Sequence, residues 1–208
     1  MMKQTELPRF DNEKESDWVL ASKGIFDYFE PSDKVIVDVG AGAGAWAIWS
    51  VYRGAKEVHA IEPSMKKVNR LRRMIVDNAM QTKLYIYNTA LGNGARIAGY
   101  WDNNDFISNG DYSSSIACQK FDDLGILPDI VRMNVGEGTL EALKGMERTI
   151  VNNSPNLVMI YPNHEIEEKV EKEFLNGHGY MTDKPKINLN DKSIIVSYSK
   201  ARIKKGKS

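Results

Sequence analysis

This chain of 208 residues has only one cysteine, no long apolar run and no excess of either sign of charge. The single cysteine, Cys118, excludes an internal disulfide framework and fits a reducing compartment. No run approaches the roughly 20 apolar residues that span a bilayer, and the polar N-terminus lacks the apolar core of a signal peptide. The 28 basic and 28 acidic side chains cancel, so no overall charge attracts nucleic acid or membrane. We therefore expect a cytoplasmic protein that does not bind membranes.

The sequence instead alternates short β-branched runs with amphipathic segments. Five strand–helix units are followed by two further strands, Tyr180–Ile187 and Ser193–Tyr198, joined by a turn too short to connect parallel strands. This pattern predicts an α/β fold with a mostly parallel seven-stranded sheet, a C-terminal antiparallel hairpin and helices on both faces. We expect one domain at residues 34–199, preceded by a helical segment at 1–33 and followed by a basic tail at 200–208. Residues Gly92–Ser115 are rich in glycine and asparagine and predict mainly loop with one short hairpin.

The most informative segment is an apolar strand that runs directly into glycines. Asp38 lies near the end of the strand Val35–Val39, and a helix-like segment follows at Ala45–Tyr52. Between them glycine occupies every second position, at Gly40, Gly42 and Gly44. Glycine accepts positive φ and lets a ligand lie directly on the main chain. A strand, a glycine loop and a helix in this order are typical of a nucleotide-type site.

The glycine loop is compatible with two kinds of ligand. From Gly42 onward it satisfies the dinucleotide pattern G-x-G-x-x-A, with Glu62 placed 20 residues after Gly42, so a nicotinamide enzyme stays open on the loop alone. Three features favour S-adenosylmethionine (SAM) instead. They are the carboxylate Asp38 just before the glycines, an amphipathic helix before the first strand, and the terminal hairpin.

SAM gives a role to each polar residue at the carboxyl ends of the first three strands. The glycine loop would lie under the methionine and ribose, while Asp38 would orient loop amides and favour the ligand's ammonium group. Glu62 would accept hydrogen bonds from both ribose hydroxyls, and such charge-assisted bonds contribute roughly 1.5–3 kcal/mol each. The segment after the third strand, Asn88, Thr89 and Ala90, would meet the adenine. The carboxyl edge of an open α/β sheet is where ligands bind, so these residues form the predicted cofactor site.

Several blocks of the chain between Lys34 and Tyr180 resemble the FkbM-type SAM-dependent methyltransferases. The blocks are Val37–Gly40, His59–Pro63, Asn88–Gly92, Lys120–Leu124 and Asp129–Gly145. The last block is similar to the family's D-x-x-K-I-D-V-E-G-x-E-x-x-V-L-K-G and is the most specific. The resemblance implies a Rossmann-like class I methyltransferase fold, SAM as cofactor, and methyl transfer most often to oxygen, sometimes on sugars or small metabolites.

The acceptor half departs from that family pattern. Asn134 replaces an aspartate, the following acid is displaced by one position to Glu137, and proline precedes Asn163-His164 where the family tends to have glutamate. Methyl transfer to a hydroxyl needs a base with a pKa near the working pH, which makes His164 the leading candidate and Glu137 the second. Asn134 can position an acceptor but cannot take its proton. We assign no role to His59 or His178, and we expect no metal site.

Three functions therefore stay open from the sequence. The first is an O-methyltransferase for a small hydroxylated acceptor. The second is a non-catalytic SAM-binding protein, because most of the family's acceptor-side carboxylates are missing. The third is an RNA methyltransferase, for which the basic cluster at residues 66–73 and the basic tail argue.

Overall fold

The computed structural model describes residues 29–101, 106–108, 114–161, 165–182, 187–188 and 194–200. Most of the predicted N-terminal segment, nearly all of the basic tail, and His164 lie outside these ranges. The elements are, in chain order, β1 Val35–Val39, α1 Ala45–Tyr52, β2 Glu57–Ile61, α2 Met65–Asp77, β3 Leu84–Tyr87, β4 Ala90–Leu91, β5 Arg96–Trp101, β6 Phe106–Ser108, β7 Ser114–Gln119, β8 Ile130–Met133, α3 Thr139–Gly145, α4 Glu147–Asn152, β9 Asn156–Tyr161, α5 Glu165–Gly177, β10 Tyr180–Thr182, β11 Ile187–Asn188 and β12 Ile194–Lys200. Short 3-10 helices lie at Phe121–Asp123 and Gly136–Gly138. No helix in these ranges has the length and apolar character needed to cross a bilayer.

The main sheet has the strand order β3-β2-β1-β8-β9-β12-β10, with β11 also paired to β12. The pairs from β3 to β9 are all parallel, whereas β12 runs antiparallel to both β9 and β10. In the dinucleotide-binding fold the order is 3-2-1-4-5-6, with no reversed strand in this place. The predicted fold class, with its C-terminal antiparallel pair, is confirmed. The first strand of that pair is shorter than predicted and ends at Thr182.

Helices cover both faces of the sheet because successive strand residues point to opposite sides. On one face, Ile36 belongs to a core that includes Trp46 of α1 and Leu71 of α2. On the other face, its neighbour Val37 joins a core that includes Leu143 of α3 and residues of α4 and α5. The main sheet is thereby enclosed, and its carboxyl edge carries the loops that end β1, β2 and β8.

Two features of the middle of the chain depend on contacts between distant residues. Within Gly92–Ser115 the structure contains the predicted short hairpin, since β5 pairs antiparallel with β6; β5 also pairs with β7, and β7 pairs with β4 in a second sheet. The apolar spacing of Leu140, Leu143, Met146 and Ile150 is compatible with one helix, but the structure has two, interrupted at Met146. In both places long-range pairing and packing outweigh the local pattern, as is common for strands of weak propensity.

Gly145 ends α3 and lies directly against the turn that follows β4. A Cβ added to Gly145 would be 2.1 Å from the carbonyl oxygen of Gly92 and 2.9 Å from its carbonyl carbon. Backbone atoms on both sides leave little room for adjustment. The close approach of α3 to the second sheet therefore requires glycine at this position.

Replacing Gly145 by alanine is expected to lower the free energy of unfolding by about 1–3 kcal/mol, the range for overpacking in a tight contact. Urea denaturation of the purified variant measures this. The matched control is Gly177→Ala at the last residue of α5, where an added Cβ meets nothing within 4 Å. Alanine is the better helix former, so the control should be neutral or slightly stabilised. Equal losses in the two variants would contradict the packing explanation.

Candidate functional site

The glycine loop is anchored on the end of the neighbouring strand β2. The amides of Gly40 and Ala41 both donate to the carbonyl oxygen of Ile61, at 2.9 and 3.1 Å. The amide of Gly42 donates to Oε2 of Glu62 at 2.8 Å. Positive φ values of 73°, 60° and 88° occur at Gly40, Gly42 and Gly44. This backbone path favours glycine at each of these positions, and it places the loop beside Glu62.

Glu62 connects the glycine loop to the start of α2. Its other carboxylate oxygen, Oε1, accepts the amide of Ser64 at 2.8 Å, and Ser64 in turn caps α2 by accepting the Lys67 amide. Only 3% of Glu62 is exposed. Glu62 is thus held in place at the carboxyl edge of the sheet by two backbone amides, one from the glycine loop and one from the start of α2.

Asp38 has a partner that the sequence did not predict. Its Oδ1 accepts a hydrogen bond from Nη1 of Arg132 at 2.7 Å, and the two side chains are 0% and 2% exposed. The parallel register of β1 and β8 sets these residues side by side. Arg132 also lies 3.4 Å from the carbonyl oxygen of Gly40 and near the ring of Trp46. A buried ion pair therefore supports the glycine loop, and the predicted contact of Asp38 with a ligand stays a prediction.

Arg132 is the functional candidate that sequence reasoning missed. A signal was present, because it is the only charged residue in the apolar strand β8, as Asp38 is in β1. Two apolar strands that neighbour each other, each with one charge of opposite sign, predict a cross-strand pair. The FkbM-type pattern has a lysine at this position, so the resemblance too marked a cation there.

The three residues predicted to meet adenine are largely engaged within the protein. Nδ2 of Asn88 donates to the carbonyl oxygens of Glu62 and Pro63, at 3.0 and 2.9 Å. The hydroxyl of Thr89 donates to the carbonyl oxygen of Ala117 at 2.8 Å, and Ala90 is buried as the first residue of β4. Asn88 therefore ties the end of β3 to the end of β2. The contact of Asn88, Thr89 and Ala90 with adenine stays a prediction.

The structure describes the three predicted acceptor-side residues, Asn134, Glu137 and His164, to different extents. Asn134 is half-buried, and its backbone amide donates to the carbonyl oxygen of Val39. A Cβ on Gly40 would lie 2.2 Å from the carbonyl oxygen of Asn134. Glu137 lies in the short 3-10 helix that precedes α3. His164 falls in the interval between β9 and α5 that lies outside the described residues. The structure thus brings Asn134 against the glycine loop, and the catalytic roles of all three residues stay predictions.

The two other histidines are engaged with their own neighbourhoods. His59 is buried in β2 with Nδ1 3.1 Å from the hydroxyl of Tyr87, and burial lowers its pKa although the Glu57 carboxylate opposes this. His178 follows α5, where its ring nitrogens contact the carbonyl oxygen of Phe174 and a glutamate of α4. Within the described ranges, no three His, Cys, Asp or Glu side chains are grouped so that they could hold a metal ion.

Comparison with known proteins shows similarity in structure. No protein-family model matches the chain, and no curated protein matches its sequence. The methyltransferase FkbM from Methylobacillus flagellatus is 18% identical with a TM-score of 0.63 over 82% of this chain, which spans only 44% of that protein. The precorrin-6y C5,15-methyltransferase from Geobacter metallireducens is 16% identical with a TM-score of 0.60 over 95% of both chains.

A third solved structure contains a cofactor product. M. capricolum TrmK, in complex with S-adenosylhomocysteine, is 13% identical with a TM-score of 0.55 over 86% of this chain and 66% of its own. At such identities the comparisons establish the fold alone. The chain has the Rossmann-like fold of class I methyltransferases, which agrees with the strand order of its main sheet.

Proposed function

We propose that this chain is a SAM-dependent methyltransferase. The observation that carries the proposal is the Glu62 carboxylate, buried at the carboxyl end of β2 and joined to the glycine loop through the Gly42 amide. A dinucleotide would place its pyrophosphate on amides at this loop and helix start. The amides of Gly40, Ala41 and Gly42 already donate within the protein. A ligand without phosphate, which needs hydrogen-bond acceptors for a ribose, suits this loop better.

The residues of the site fit SAM. Glu62 would accept from the ribose hydroxyls, and the glycine loop would lie under the methionine part. The Asp38–Arg132 pair would hold that loop in shape, while Asn88 keeps the ends of β2 and β3 together for the adenine. When bound, SAM supplies a methyl group activated by the adjacent sulfonium. The protein's own contribution is to hold that group and the acceptor in line and to keep water out.

The acceptor in this proposal is a hydroxyl group. Its proton must leave as the oxygen attacks, and we propose His164 as the base, Glu137 as the second candidate, and Asn134 as a group that orients the acceptor. The FkbM-type resemblance supports a small hydroxylated acceptor. The cations of α2 favour RNA as a second candidate.

Titration calorimetry of the full chain with SAM, S-adenosylhomocysteine and NAD tests the cofactor. We expect both adenosyl compounds to bind and NAD not to bind. The absence of SAM binding at millimolar concentration, or tighter binding of NAD, would contradict the proposal. Transfer of a labelled methyl group to a hydroxylated acceptor then separates an enzyme from a non-catalytic SAM-binding protein.

Replacing Glu62 by alanine is expected to weaken SAM binding by about tenfold to a hundredfold, because charge-assisted hydrogen bonds to the ribose are lost. Calorimetry measures the affinity. Glu57→Ala removes a carboxylate from the opposite end of the same strand and serves as the control. Thermal unfolding of each ligand-free variant separates lost binding from lost folding. An unchanged affinity in a folded Glu62→Ala variant would show that the ribose assignment is wrong.

A further inference from the structure

The outward side of α2 carries a concentration of positive charge. The helix buries Val68, Leu71, Met74 and Ile75 against the sheet. Five of its other residues are basic, namely Lys66, Lys67, Arg70, Arg72 and Arg73. The only acid is Asp77 at the last position, and the first turn contains none. The chain as a whole is neutral, so the charge on this helix is a local concentration.

Three of these cations form a row along the helix. Lys66, Arg70 and Arg73 are spaced by four and three residues, so their side chains stack along one face over about 10 Å of helix axis. Lys66 and Arg73 are exposed and Arg70 is partly exposed. We call these three residues the basic row.

The basic row is unfavourable for the helix itself. Like charges at these spacings repel each other, and cations in the first turn oppose the helix dipole. The α5 helix has the opposite excess, because it contains five glutamates and two lysines, and Glu165 and Glu173 lie four residues on either side of Lys169. Each helix therefore carries an excess of one sign of charge, negative in α5 and positive in α2. Because the basic row does not favour its own helix, we take it as a candidate binding surface.

The basic row also starts beside the proposed cofactor site. The backbone amide of Ser64, the residue that caps α2, donates a hydrogen bond to the Glu62 carboxylate at 2.8 Å. Lys66 is therefore within the first helical turn after the carboxylate proposed to hold the ribose. An anionic chain that follows α2 would approach the carboxyl edge of the sheet, where the acceptor must lie.

We propose that the basic row binds the phosphate backbone of an RNA acceptor; this rests on the proposed methyltransferase function and chooses RNA, the second of its two candidate acceptors. Phosphates repeated along a strand complement cations repeated along a helix, and such contacts position the nucleic acid without reading its sequence. A small hydroxylated molecule carries no repeated negative charge that would complement a row of this length. The apolar side of α2 is buried in the core, so the helix cannot lie in a lipid surface.

Fluorescence anisotropy with a labelled mixed-sequence RNA hairpin at several salt concentrations tests the proposal. The variant Lys66→Gln/Arg70→Gln/Arg73→Gln is expected to bind at least tenfold more weakly. Its plot of log affinity against log salt should be less steep by about two to three, since each lost phosphate contact removes about 0.7–0.9 from the slope. The control Lys34→Gln/Lys169→Gln/Lys172→Gln removes the same charge from exposed lysines elsewhere and should bind like the unmodified chain.

The outcomes separate this proposal from the one on which it rests. Relief of like-charge repulsion should leave the melting temperature of the α2 variant equal or higher, so weaker RNA binding would not reflect unfolding. Failure of the unmodified chain to bind RNA, or equal losses in both triple variants, would overturn the proposal about α2. SAM titration of the same proteins reports the cofactor site independently: absent SAM binding would overturn the proposed function, whatever the RNA result.

Discussion

Replacing Arg132 by methionine is expected to lower the free energy of unfolding by about 3–5 kcal/mol, the range for removing one partner of a buried ion pair. Asp38 is fully buried, so the change would leave its charge in the protein interior without the guanidinium 2.7 Å away. The opposite change, Asp38→Asn, should destabilise for the same reason. Urea denaturation of each variant gives the values, with the midpoint and the slope reported separately.

The double variant Asp38→Asn/Arg132→Met tests whether the loss comes from unpaired charge. Because it buries no lone charge, it should be clearly more stable than the sum of the single changes implies. The control is Lys144→Met, which removes a cation whose distance to Glu141 is also 2.7 Å but whose side chain is 38% exposed. Exposed pairs contribute about 0–1 kcal/mol, so this change should have little effect. Additive losses at Asp38 and Arg132 would contradict the importance of the pair.

Replacing Gly40 by alanine should be the most damaging change in the glycine loop. Its φ of +73° costs a residue with a Cβ about 1–2 kcal/mol. The added atom would also lie 2.2 Å from the carbonyl oxygen of Asn134, and relieving such a clash typically costs about 1–3 kcal/mol. We therefore expect a loss of about 2–5 kcal/mol in stability. The displaced loop should also bind SAM more weakly than the unmodified chain does.

Gly125→Ala is the matched control for Gly40. Gly125 has a φ of +69°, but a Cβ there would meet nothing within 4 Å. Its loss should be limited to the backbone term of about 1–2 kcal/mol and should leave SAM binding intact. Chemical denaturation and calorimetry on the two variants together isolate the contact with Asn134. Equal losses in stability would show that this contact contributes nothing.

Local patterns predicted the elements that build the proposed cofactor site. The β-branched run Val35–Val39 and the segment Ala45–Tyr52 have the bounds expected from the sequence. Each is short, strongly patterned and bounded by glycine, proline or a polar cap, so local preference and tertiary packing agree. Glu62 could be placed beside the glycine loop for the same reason, since both follow neighbouring parallel strands.

Other features depend on contacts that a local pattern does not contain. The strands β5 and β7 form an antiparallel ladder, and the glycine- and asparagine-rich segment around β5 gives no local signal of this pairing. The interruption at Met146 lies next to Gly145, whose contact is with Gly92, more than 50 residues earlier in the chain. The pairing of Asp38 with Arg132 depends on the register between two strands, and the two residues are 94 positions apart in the sequence. Long-range register and close backbone approach are therefore what the sequence reading lacked.

The reversed strand β12 has a consequence for synthesis. It lies between β9 and β10, both of which leave the ribosome before it. Until residues 194–200 emerge, β9 is the edge of an unfinished sheet, with one row of backbone amides and carbonyls unpaired. A nascent chain stalled at this stage exposes an apolar strand that other chains can pair with. We therefore expect the main sheet to be completed only after residues 194–200 have left the ribosome.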